Sequence, residues 1–258
     1  MRAEGLTSLM AKDKAIHKVY LINQNYAAGT QTSAVVRENL KRKRPDIEIV
    51  GDDLHPLFQV KDFAPYVAKI KASGADAIVT GNWSADLTLL IKAGKDAGLK
   101  VPFYTYHAAT KGVPTALAAA GAEQVSVITY WNPGDDPAAV KTLLQPFKAR
   151  YDEDFAILPF YTMVRMLSQA VKDARSTEPI AVAKALEGMR IQSFNGEVHM
   201  RKSDHQIQQS LLLAQWGKVD GKTVRWDMEK TGHGFKTIGK VDAYTAALPT
   251  TCQMKRPQ

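Results

Sequence analysis

The chain has a single cysteine, Cys252, so no disulfide can close within it and no thiolate cluster can hold a metal. Long apolar runs are missing too. Nothing approaches the roughly 18 to 20 consecutive apolar residues that span a bilayer, and Met1-Arg2-Ala3-Glu4-Gly5 lacks the uninterrupted apolar core of an export signal. Neither G-x-S-x-G nor H-E-x-x-H occurs, which leaves the common hydrolase readings without support. Asn23-Gln24-Asn25-Tyr26-Ala27-Ala28-Gly29 offers one glycine where a dinucleotide-binding turn needs three. The nearest approach to a phosphate-cradling loop, Gly217-Lys218-Val219-Asp220-Gly221-Lys222-Thr223, has the wrong glycine spacing and reads better as a turn between strands.

Weaker signals point the same way. His199, Asp204 and His205 match neither a helical face nor a zinc spacing, so no metal is expected, and no motif calls for a cofactor. Asp52 and Asp53 are adjacent, and neighbours in extended chain face opposite ways, so they read as a solvated loop rather than an acid/base pair. Lys and Arg exceed Asp and Glu by 34 − 26 = 8, but the excess is spread along the chain. Its densest run, Lys41-Arg42-Lys43-Arg44, closes a helix without interleaved aromatics, so no nucleic-acid partner is expected. With no catalytic constellation in view, the chain reads as a non-enzyme.

What is present is alternation. From Lys18 to Asn132, short β-branched or aromatic runs alternate with segments of helical period, the pattern of βαβ units. Strands are expected at Val19–Ile22, Ile47–Val50, Ala77–Thr80, Phe103–Tyr106 and Val125–Tyr130, with helices between them carrying stripes such as Val36/Leu40, Val67/Ile70 and Leu87/Leu90/Ile91. Right-handed crossovers then give a doubly wound parallel α/β domain over about 17–135. Past Pro133-Gly134-Asp135-Asp136-Pro137 helices dominate, with Pro146 expected to kink the first. Asn195-Gly196 and Asp220-Gly221 mark hairpins in the last part. The helices at 158–190 have wide apolar stripes and no further sheet to cover them.

Ligands of open α/β sheets bind beyond the carboxyl ends of the strands. That rule selects Asn25, Tyr26, Ala28 and Gly29 after the first strand, Gly81, Asn82 and Trp83 after the third, Tyr106 and His107 after the fourth, and Tyr130 and Trp131 after the fifth. Such a rim, aromatic and amide-rich, suits a small organic solute held by stacking and a few hydrogen bonds.

These residues resemble the type I periplasmic solute-binding proteins of branched-chain amino acid ABC transporters, the Leu/Ile/Val-binding protein family. The likeness is carried by Lys18-Val-Tyr-Leu-Ile-Asn-Gln-Asn-Tyr26 with Gly29, Gly51-Asp-Asp-Leu-His-Pro56, Lys61-Asp-Phe-Ala-Pro65, Lys69-Ile-Lys-Ala-Ser-Gly-Ala-Asp76, Thr80-Gly-Asn-Trp83, Asp96-Ala-Gly-Leu99 and Met163-Val-Arg-Met-Leu167. The resemblance implies a flytrap fold of two α/β lobes. This chain would hold the end of lobe 1 and a crossover at 1–17, a complete lobe 2 at 18–135, and the return to lobe 1 with final hairpin crossings at 136–258, most of the first lobe being absent.

It further implies a periplasmic, non-catalytic binding component of an importer, partnered by a small solute and by ABC transporter permease subunits. The solute would be an amino acid or small organic acid held by Tyr26, Ala28, Gly29, Asn82, Trp83, Tyr106, His107, Tyr130 and Trp131. The chain departs from amino-acid-binding members in having Ala28 where a tyrosine is frequent and no carboxylate near His107. A histidine and a tryptophan there fit an anionic, aromatic or amide-bearing solute as well as leucine or valine. A cytoplasmic ligand-sensing module of the same fold, an enzyme on the same framework, and a truncated remnant with little binding are the other readings.

Overall fold

A computed structural model describes residues 1–155, 158–245, 247–250 and 252–255. Helix α1 (Arg2–Met10) leads into strand β1 (Lys18–Gln24), and the alternation expected from sequence follows: α2 (Ala27–Lys43), β2 (Glu48–His55), α3 (Ala64–Ser73), β3 (Ala77–Thr80), α4 (Ser84–Asp96), β4 (Phe103–Thr105), α5 (Val113–Leu117) and β5 (Val125–Thr129). The first five strands pair in parallel in the order β5-β4-β3-β1-β2.

Both faces of this sheet are covered, which is why its strands read as unbroken apolar runs. Alternate residues of β1 go to opposite sides. Tyr20 and Ile22 join Val67, Ile70, Leu87 and Leu90 of α3 and α4, whereas Val19 and Leu21 join Val36 and Leu40 of α2 and Leu6 and Met10 of α1. Each fully buried leucine or isoleucine there contributes roughly 1.5 to 3 kcal/mol. Helix α1 therefore packs on this face of the sheet.

Strand β2 runs to His55, five residues past its expected end, and this corrects the reading of Asp52 and Asp53 as a solvated loop. Both lie in the edge strand, on opposite faces. Asp52 accepts from Ser33 Oγ at 2.8 Å and pairs with Arg37 at 2.7 Å, while Asp53 accepts from the Tyr20 hydroxyl at 2.6 Å and pairs with Lys69 at 3.2 Å.

After β5 the chain turns helical. Helix α6 (Pro137–Ala139) continues through a π-helical stretch (Val140–Leu144) into α7 (Gln145–Tyr151). The widened turns end just before Pro146, whose ring and missing N–H would break regular α-helical bonding to residue 142. Helices α8 (Leu158–Ala174) and α9 (Pro179–Leu186) pack together over a small antiparallel sheet of β6 (Arg190–Ser193), β7 (Gly196–Met200) and β8 (Ile207–Gln208). The hairpin expected at Asn195-Gly196 is there, with Ser193 opposite Gly196 and Phe194-Asn195 at its tip. Helix α8 buries Thr162, Met166 and Ala170 and leaves Phe160, Met163, Val164 and Leu167 exposed, a stripe at i, i+3, i+4 and i+7.

The last pair of strands, β9 (Leu211–Lys218) and β10 (His233–Val241), joins the large sheet. Strand β9 pairs antiparallel with β5, and β10 with β9, extending the large sheet to seven strands. Trp216 of β9 is fully buried among Val125, Phe103 and Phe235. Asp220-Gly221 opens a long loop between them rather than a tight turn, and the Asp220 carboxylate accepts from the amides of Lys222, Thr223 and Val224.

Candidate functional site

The carboxyl ends of β5, β4, β3, β1 and β2 lie side by side, and the residues expected at a ligand edge all follow them. At the end of β1, Tyr26 is extended and stands as the N-cap of α2 without a side-chain capping bond. Gly29 comes so close to the strand it leaves that a Cβ would sit 1.8 Å from the Gln24 carbonyl oxygen, so only glycine allows this entry angle. The first helical bond is Thr30 N to Tyr26 O, which leaves the N–H groups of Ala27, Ala28 and Gly29 without intrahelical partners. No acidic residue stands in this first turn. The positive end of the α2 dipole is thus uncompensated, a setting that favours a carboxylate.

The neighbours of β1 supply a second group of residues. Asn82, after β3, is fully buried, its amide nitrogen 2.8 Å from Nε2 of His55 at the end of β2. Asp86, in the first turn of α4, is buried beside them and accepts from Gln24 Nε2 at 2.7 Å and from the Phe58 amide at 2.9 Å. Above this polar floor the rings of Trp83 and Phe58 meet edge to face with centroids 4.7 Å apart. Asn82 therefore shapes the edge from below, and Trp83 is the residue of the pair that reaches solvent.

A third group gathers at β4 and β5. Tyr106, Tyr130 and Trp131, with Arg2, Leu158 and Pro159, line a cavity of about 150 Å³. The Arg2 guanidinium lies 5.5 Å from the Tyr106 ring centre and 5.7 Å from that of Tyr130, and it donates to the Tyr106 carbonyl at 2.7 Å. Burial pushes the Tyr106 hydroxyl well above the usual range. Burial, reinforced by Arg2, lowers His107 to about 4. Without an anion beside it, His107 is thus a neutral imidazole at pH 7.

Phe58, His55, Asp86 and Arg2 escaped the sequence reading. The expected end of β2 at Val50 falls short of the observed His55, which alone brings His55 to Phe58 under the same strand-end rule. Elsewhere, a charged recess of about 250 Å³ is lined by Lys111, Lys148, Asp152, Glu153, Asp154 and Lys230. Its three lysines are paired, Lys111–Glu153 at 2.7 Å, Lys148–Asp154 at 2.8 Å and Lys230–Asp152 at 2.7 Å, and its fourth carboxylate, Glu229, accepts from the amides of Gly112 and Thr115. Among the described residues no group of three or more His, Cys, Asp or Glu could hold a metal ion.

A parallel α/β sheet with donors and aromatic faces gathered at its strand ends is the arrangement in which open α/β folds bind small ligands. Residues 1–222 match the family described as periplasmic binding protein, and the chain belongs to it. Leu/Ile/Val-binding protein homolog 4 of Brucella melitensis biotype 1 is 32% identical over 263 residues, covering 95% of this chain and 60% of that protein. The crystal structure of the leucine-, isoleucine-, valine-, threonine- and alanine-binding protein of Brucella ovis, in its closed conformation, matches with a TM-score of 0.86 and 28% identity over 99% of this chain and 65% of that one. A solute-binding protein of an ABC transporter from Rhodopseudomonas palustris HaA2, in complex with p-hydroxybenzoic acid, shares the fold with a TM-score of 0.76 at 23% identity, over 94% of this chain and 64% of that one. The fold is the type I periplasmic binding fold, and the chain spans about three fifths of the length of the curated relatives it matches.

Proposed function

We propose that this chain belongs to the solute-binding component of an ABC importer, working in the periplasm, which captures a small carboxylate or amino acid at the strand-end edge without catalysis and presents it to permease subunits. The observation that carries this reading is the uncapped N-terminus of α2 at the end of β1, flanked by the exposed rings of Phe58 and Trp83. Helix N–H groups hold a carboxylate by contact alone, and aromatic faces take up the apolar body of the solute. Tyr26, Ala28 and Gly29 form the cradle, Trp83 stands beside it over the buried Asn82, and Tyr106, His107, Tyr130 and Trp131 continue the edge. The family's membership of binding proteins supports the role, and the names of its relatives leave both amino acids and aromatic acids as candidates.

Isothermal titration of the purified chain against leucine, isoleucine, phenylalanine and benzoate tests this reading. At least one should bind, and the bound compound should be recovered chemically unchanged. A Trp83→Ala variant that kept full affinity, or a new product released from any of the four, would sink it.

A further inference from the structure

We propose that Phe58 and Trp83 form a preset corner of two rings that grips a planar ring of the solute, so that the edge selects ring-bearing carboxylates over saturated ones of equal size. This rests on the strand-end edge being the solute site.

Phe58 and Trp83 come from loops after β2 and β3, the two strands that flank β1, so their contact bridges the mouth of the α2 cradle. The rings stand at 78° to each other, and each keeps more than a third of its residue surface open, 40% for Phe58 and 37% for Trp83. A perpendicular pair leaves two faces free at a right angle. A third flat ring can stack on one face while turning its edge to the other, the two arrangements that aromatic quadrupoles favour. A saturated ring of the same volume buries similar apolar area but gains neither.

The corner is held in place before any solute arrives. Phe58 has a positive φ of 55°, and Ser84, directly after Trp83, has one of 53°. Neither is glycine, and such left-handed backbones persist only where the surroundings over-determine them, as at ligand clamps. Here one buried carboxylate does so. Asp86 sits in the first turn of the helix that Trp83 caps, accepts the Phe58 amide at 2.9 Å, and is itself fixed by Gln24 at 2.7 Å. The loop after β2 and the helix start after β3 are thereby tied to one atom, Asp86 Oδ2. Phe58 becomes a specificity-determining residue, with Asp86 as its positioning residue.

The test compares benzoate with cyclohexanecarboxylate, which carry the same charge and differ in planarity, with leucine as a third probe. Titration calorimetry of the chain should give benzoate roughly three- to tenfold the affinity of cyclohexanecarboxylate. Phe58→Leu and Trp83→Leu should each bring that ratio close to one by weakening benzoate alone, and Phe58→Tyr should restore it. Circular dichroism confirms that each variant is folded. Equal affinities in the parent chain, or a ratio that survives both leucine substitutions, would overturn the proposal, the second outcome marking the pair as a surface covered by protein instead. If leucine binds and neither ring acid does, the ring corner is wrong while the edge remains a solute site. If none of the three binds, the edge itself is wrong and both readings fall.

Discussion

The amide nitrogen of Asn82 lies 2.8 Å from Nε2 of His55, and solvent reaches neither side chain. With that N–H donating, Nε2 accepts, and Nδ1 is left to donate to the Pro56 carbonyl at 3.2 Å. One imidazole thereby ties the end of β2 to the loop after β3. His55→Leu should destabilise the chain by about 1 to 3 kcal/mol, the usual cost of stranding a buried donor. Urea denaturation measures it. A change below about 0.5 kcal/mol would place His55 outside the structural network.

Ala28 is exposed in the first turn of α2. An aspartate there compensates the helix dipole internally and repels an incoming carboxylate. Ala28→Asp should therefore leave stability unchanged or raise it by about 0.3 to 1 kcal/mol, while weakening carboxylate binding by roughly tenfold or more. Thermal denaturation and calorimetry read the two effects separately. Loss of stability together with affinity would mean the turn is crowded rather than electropositive.

His107 gives the chain an acid-sensitive point. Its folded value of about 4 lies below the ordinary 6.5 because burial and Arg2 both disfavour the imidazolium. The unfolded chain therefore takes up this proton first as the pH falls. The stabilisation is whole above pH 6.5 and drains away between about 6.5 and 4, amounting to about 3 kcal/mol. Denaturation at pH 7.5 and pH 4 should show the parent losing about that much more stability than His107→Gln. Equal losses would show that His107 titrates normally.

The exposed stripe Phe160, Met163, Val164 and Leu167 on α8 should make the chain associate as its concentration rises. Val164→Gln with Leu167→Gln should shift light-scattering mass toward the monomer, while stability moves by no more than about 0.5 kcal/mol per site. Unchanged association would locate the sticky surface elsewhere.

The parallel part of the fold was legible because β1 and β3 are buried on both faces, so Val19–Ile22 and Ala77–Thr80 stand out as apolar runs between helices of clear period. Strand β2 was legible only to Val50. On an edge, half of its side chains may be polar, and Gly51-Asp52-Asp53 looks like a turn until Tyr20, Ser33, Arg37 and Lys69 are seen to meet the two carboxylates. The strand-end rule found Trp83 and Gly29, yet Phe58 stayed hidden behind that misplaced end and Asp86 lies beyond Trp83, inside α4. The pairing of β9 with β5 left no local trace at all, since nothing in Leu211–Lys218 names a partner that lies more than eighty residues earlier.

That pairing governs the order in which the molecule can assemble. Ser126 meets Gln215 only after the whole helical excursion from Pro137 onward has been made, so the sheet's last seam closes a very long loop. Long-range closure of this kind slows folding far more than it costs stability. Until it happens, β5 is an open edge ready to pair with another chain. The interval between synthesis of β5 and arrival of β9 is therefore when this protein is most exposed to misassembly.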